Sequence, residues 1–138
     1  MKKTTDLLNE LNTSNNIDKY LKDNHDSIID QTLAEHFCKI FEERNISKSN
    51  VIHKSNLNEI YAYQILGGKR MPSRDKIIAL CVGASFSLDD TNYALKIGGF
   101  APLYPKIKRD SIIIFGIRNE KSILQINELL YSHQLETI

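Results

Sequence analysis

Apolar side chains recur along this chain at the three- and four-residue spacing of a helix face, in short runs parted by polar breaks. Thr4 or Thr5 is placed to cap a short helix through Leu7, Leu8 and Leu11, and the polar run at residues 12–16 breaks it. Ile17, Tyr20 and Leu21 predict a second short helix. Beyond Asn24-His25-Asp26 a longer helix is expected from near Ser27 to Arg44-Asn45, with Ile28, Ile29, Leu33, Phe37, Ile40 and Phe41 as its apolar stripe. Ser47 can cap the next helix, which carries Val51 and Ile52. Asn56 tolerates the left-handed conformation that ends it, and Leu57 can turn inward at the corner. Asn58 then caps a helix with Ala62, Ile65 and Leu66 on one face, stopped by Gly67-Gly68. Ser73 opens a helix holding Ile77, Ile78, Leu80, Cys81 and Val82, with Asp75 in the first turn and Gly83 as its stop. Ser87 and Asp90 have the spacing of a capping box. The helix they open buries Leu88, Tyr93 or Ala94, Leu95 and Ile97, and Gly98-Gly99 closes it.

The two prolines at 102 and 105 exclude a helix there, so Phe100, Leu103 and Tyr104 are expected to lie extended against the bundle. Residues 107–118, IKRDSIIIFGIR, are rich in β-branched side chains and would suit a strand. No second strand exists to pair its amides, so a buried helix is expected. Ser122 and Gln125 cap a last helix with Ile123, Ile126, Leu129 and Leu130. The pattern predicts an all-α bundle of eight or nine helices in one domain over residues 1–138. Residues 1–27 form an N-terminal helical arm, 28–100 a core with a helix-turn-helix at 47–67, and 101–138 a C-terminal helical extension.

The segment ISKSNVIHKSNL (residues 46–57), Ala62 and Ile65, and the exit Gly68-Lys69-Arg70-x-Pro72-Ser73 resemble the helix-turn-helix of the lambda-repressor-like, or XRE, family of bacterial and phage regulators. Tyr61 to Ile65, GKRxPSRDKI at 68–77 and GGFAPLYP at 98–105 resemble, more narrowly, small XRE-type regulators of low-GC Gram-positive bacteria. The resemblance implies a five-helix DNA-binding core over roughly residues 32–100, carrying extra helices at both ends.

Net charge is only +1, which does not advertise a nucleic-acid binder, but its distribution does. Residues 1–47 hold 6 basic and 9 acidic residues, residues 48–76 hold 6 and 2, and residues 77–138 hold 6 of each. The excess of positive charge therefore sits on the helix-turn-helix and its exit, where phosphates would need it. Cys38 and Cys81 each lie in an apolar run, as buried free thiols do. No metal site is expected, since no CxxC or HxxxH spacing is present. His25, His36, His53 and His133 are scattered, with His36 on a helix flank, so no catalytic residue, cofactor or small-molecule ligand is predicted and the chain is not read as an enzyme. No apolar run approaches the roughly 20 residues of a membrane span, and without a targeting sequence the cytoplasm is the expected location.

In a helix-turn-helix, bases are read from the N-terminal part of the second helix. Base readout is accordingly expected from Lys48, Glu59, Ile60, Tyr63 and Gln64. Gln64 has the amide for a bidentate adenine contact, Ile60 can meet a thymine methyl, and Glu59 either accepts from cytosine or weakens readout by repelling phosphate. Backbone contacts are expected from Ser47, Tyr61, Lys69, Arg70 and Arg74. Lys106, Lys108 and Arg109 form a second basic cluster, which touches backbone or serves solubility. The expected function is a sequence-specific double-stranded DNA-binding transcriptional regulator, most simply a repressor, with the helix at 58–67 in the major groove. The rival is a protein–protein interaction module, such as an antitoxin or a regulator's partner, that has lost base readout. The family resemblance implies a homodimer on a palindromic site, and residues 112–130 are candidates for its surface or for core.

Overall fold

Serine, threonine and asparagine side chains set where most helices begin. The computed structural model describes residues 2–29 and 31–138, and the chain divides into two units, residues 1–30 and 31–138. Among the described residues there are nine α-helices, one 3-10 turn and no strand.

The first unit holds α1 (Thr4–Thr13), α2 (Ile17–Asp23) and a 3-10 turn (His25–Ser27). Neither helix has a buried residue, and Leu8, Leu11, Ile17 and Leu21 stand exposed. Polar contacts tie the hairpin instead. Asn16 caps α2 by accepting from the Lys19 amide at 3.2 Å, and the buried Asn24 side chain donates to Glu10 at 2.6 Å while Lys2 pairs with the same carboxylate. Lys3 occupies the N-cap of α1 with no side-chain hydrogen bond, so Thr4 and Thr5 lie inside the helix rather than capping it.

The second unit holds α3 (Leu33–Glu43), α4 (Lys48–Ser55), α5 (Glu59–Leu66), α6 (Arg74–Gly83), α7 (Leu88–Ile97), α8 (Lys108–Arg118) and α9 (Ile123–Ser132). Ser47, Asn58, Ser73, Ser87 and Ser122 each accept from the amide three residues on, as their positions predict. The long helix expected from Ser27 begins instead at Leu33. Thr32 and Glu35 form a capping box with extended backbone at Thr32, which starts the helix there and leaves Ile28 and Ile29 outside it.

Helix α6 is the centre of this unit. Ile77, Ile78, Ala79, Leu80 and Cys81 are all buried in succession, so the helix is covered on every side, with α4, α7 and α9 packed on it. Phe37 and Phe41 of α3 meet Phe86 at centroid distances of 6.1 and 6.2 Å, closing the end of the bundle. Gly83 ends α6, as its position predicts. It is the last helical residue, and a Cβ there would lie 2.6 Å from the Val51 carbonyl oxygen and 3.0 Å from the Ser55 nitrogen, so it lets α4 approach backbone to backbone. The chain leaves through Ser85, whose φ is 58°.

The stretch that could have been a strand is helical, as α8, but only one face is covered: Ile113 and Gly116 are buried and Phe115 is exposed. In the proline segment Leu103 is buried and Phe100 packs on the core, whereas Tyr104 stands exposed. Cys38 is likewise exposed, and Cys81 is fully buried, which pushes its thiol pKa far up. Residues 112–130 supply core through Ile113, Ile123, Ile126 and Leu130, while Phe115 and Leu124 face outward.

Candidate nucleic-acid interface

A two-helix reading head needs a tight corner, a second helix with one face seated in the core, and an outward face free of protein. Asn56 makes the corner at φ 61°, ψ 22°, and the Ser55 hydroxyl, buried beneath it, donates to the Ile52 carbonyl at 2.7 Å. Leu57 packs against the core and Asn58 starts α5. Ala62, Ile65 and Leu66 are buried, which turns Glu59, Ile60, Tyr63 and Gln64 outward, with Tyr61 on the flank. Ile60 is 71% exposed and sits at the middle of this outer face.

The face has two different borders. On one side a groove of about 390 Å³ runs between α4 and α5, lined by Ser49, His53, Asn56, Glu59 and Tyr63 above the side chain of Ile52. On the other side lies the exit loop, residues 67–73. Gly68 adopts φ 80°, and the amides of Lys69 and Arg70 turn back to the Gln64 carbonyl at 2.9 and 3.3 Å. The loop thereby brings Arg70 over the helix: its Nε donates to Gln64 Oε1 at 2.7 Å, and its guanidinium carbon lies 5.6 Å from the Tyr61 ring centroid. Met71, beside it, is 77% exposed.

The expected site residues therefore fall into two sets. Ser47, Lys48, Glu59, Ile60, Tyr61, Tyr63, Gln64, Lys69 and Arg70 all belong to α4, α5 and their flanking loops, and Lys48, Lys69 and Arg70 are exposed there. Ser47 spends its hydroxyl on the Asn50 amide and on Ser49. Arg74 is placed elsewhere. Its Nη atoms make a two-armed bridge to Asp110 at 2.9 Å each, and it donates as well to the carbonyls of Ala101 and Pro102. A guanidinium committed this way fastens α6 to the proline segment and α8, so the expected phosphate clamp is corrected to a structural tie. Burial alone would raise the Asp110 pKa, but Arg74 and the Tyr104 amide overcome it and hold the carboxyl below the usual range. Arg109, from the second basic cluster, is similarly engaged: it pairs with Asp75 at 2.8 and 2.9 Å and donates to the carbonyls of Glu136 and Thr137.

Sequence reasoning missed this pair of ties, the Arg70–Gln64 bond and the buried state of His36, which packs edge-on against Tyr93 at 5.2 Å rather than lying on an open flank. Each is a contact between residues far apart in sequence or across a loop, and residue spacing carries no signal for it. Among the described residues no group of three or more His, Cys, Asp or Glu could hold a metal ion, and no helix is long and apolar enough to cross a membrane. Searches with protein-family models, among curated proteins and among solved structures found no match to this chain.

Proposed function

We propose that this protein is a sequence-specific double-stranded DNA-binding regulator, acting as a repressor, that lays α5 in the major groove. The observation that carries the reading is the outward face of α5, where Glu59, Ile60 and Tyr63 are exposed beside Lys48, Lys69 and Arg70, on a helix whose other face is locked in the core by Ala62, Ile65 and Leu66. The αL corner at Asn56 and the caps at Ser47 and Asn58 are the local geometry of a helix-turn-helix, and they agree with the lambda-repressor-like resemblance of the sequence. Exposed lysines around a reading helix supply phosphate contacts, while Ile60 and Tyr63 supply surface that meets base edges.

A second reading has its own support. Glu59 opens the same face, and Ile60, Tyr63 and Met71 make it unusually apolar for a surface that meets phosphates, which suits a protein partner. Salt separates the two. Fluorescence anisotropy of the chain against random duplex DNA should show affinity falling steeply with salt, with a log–log slope of about −0.9 for each phosphate neutralised. A flat response, or no binding at low salt from folded protein, would reject the DNA reading in favour of the protein interface.

A further inference from the structure

Arg70 of the exit loop is held against α5 by its own side chain. Its side chain is folded back along α5 to the level of Tyr61 and Gln64, the third and sixth residues of the helix. Three features hold it there: the backbone turn onto the Gln64 carbonyl, the Nε bond to Gln64 Oε1 and the face of Tyr61. Only Nε is spent. Among the described residues neither Nη has a protein acceptor, so the paired Nη edge of a rigidly held guanidinium is left to a ligand. The Gln64 amide is in the reverse situation. The oxygen that would accept from adenine N6 is already turned to Arg70, which leaves Gln64 poorly suited to the bidentate adenine contact that its residue type suggests.

Resting on the DNA-binding reading above, we infer that Arg70 is the specificity-determining residue of α5, that it reads a guanine through O6 and N7, and that Gln64 and Tyr61 are its positioning residues. Guanine presents two acceptors on its major-groove edge, which match two parallel N–H groups of a guanidinium and not the single point charge of a lysine. Holding the side chain before DNA arrives lowers the entropy lost on binding, which favours a base contact over a loosely held phosphate contact.

The test selects duplexes from a random pool with the full chain and with Arg70→Lys and Gln64→Ala, each first checked by circular dichroism for an unchanged melt. The selected duplex is then titrated with its best-defined guanine replaced by 7-deazaguanine, which lacks N7. The wild-type protein should select a guanine at one position. Arg70→Lys, which keeps the charge, should leave the salt slope unchanged and cut preference for that guanine by roughly 5- to 150-fold, the span of one bidentate base contact. Gln64→Ala should weaken preference at the same position and at no other, and 7-deazaguanine should lower wild-type affinity but not that of Arg70→Lys. If Arg70→Lys keeps the selected sequence intact, or if Gln64→Ala erases an adenine while the guanine survives, the assignment is overturned with DNA binding itself still standing. Wild-type protein that binds no duplex overturns both.

Discussion

His36 is buried against Tyr93, with Gln31 3.4 Å from its Nδ1. Burial pushes its pKa below the usual 6.5, and Lys39 and Arg44 act in the same direction against Asp90 and Glu43. The folded protein therefore keeps this imidazole neutral where the unfolded chain would protonate it. Between the lowered folded value and 6.5 the unfolded state binds more protons, so stability should fall as pH drops through that window and level off above about 6.5. Asp90 and Asp110 work at a different pH. The Arg44 bridge holds Asp90 below the usual 3.8, and Arg74 does the same for Asp110, so their contribution is intact above 3.8 and is lost only in stronger acid. Urea midpoints at about pH 5 and pH 7.5 should differ for the wild type and converge in His36→Gln. An equal difference in both proteins would show that other groups set the slope. At this scale the sequence was most legible where a side chain serves its own neighbourhood. Ser47, Asn58, Ser73, Ser87 and Ser122 cap helices three residues away, and Asn56 needs only its own backbone. His36 was not legible, because its surroundings come from α7.

The helices themselves were legible as periodic runs, and α8 was assigned correctly because a strand would have had no partner. Their ends were less so wherever two signals competed. Ile28 and Ile29 extend the apolar stripe of α3 upstream, but the Thr32–Glu35 box satisfies the first-turn amides and starts the helix at Leu33. Gly83 ends α6, as a glycine after an apolar run suggests, and its lack of a side chain also serves the contact between α4 and α6, which the sequence does not report. Gly83→Ala is a sharp test, since helix propensity alone favours alanine by about 1 kcal/mol. The added Cβ meets the backbone of Val51 and Ser55, which cannot rotate aside, so we expect a net loss of about 1–3 kcal/mol in urea unfolding. Equal or greater stability would mean that α4 and α6 part at little cost. Because α4 is also the first helix of the proposed reading head, the same substitution should shift α5 and, on that proposal, lower DNA affinity.

Two ion pairs connect the first turn of α6 to that of α8, and they define how the second unit holds its C-terminal third. The Asp110 side chain is only 3% exposed and Arg74 is its charge partner. Removing that partner strands a buried carboxylate, so Arg74→Ala should cost about 3–5 kcal/mol of folding stability. Lys69→Ala, on an open loop, should change stability by no more than about 0.5 kcal/mol while weakening the proposed DNA binding. A variant of Arg74 that melts like the wild type would return this residue to the surface. This part of the candidate site was not legible in the sequence. Local charge balance placed Arg74 among the basic groups near the exit loop, and nothing in that balance reports an aspartate 36 residues away. Helices α4 and α5 with the corner at Asn56, by contrast, form one contiguous segment and could be read as one. The pairing has a further consequence. Residues 74–75 and 109–110 are the same dipeptide, Arg-Asp, and each arginine meets the aspartate of the other copy. Four positions on two distant stretches are thus bound into one unit of inheritance. A lone change at position 74 or 110 strands a charge, and exchanging the two would set a carboxylate against the Ala101 and Pro102 carbonyls and a guanidinium against the Tyr104 amide. In descendants of this chain the residues at 74 and 110 should drift together or stay fixed, and Asp75, whose carboxylate is far more open to solvent than that of Asp110, should be free to change first.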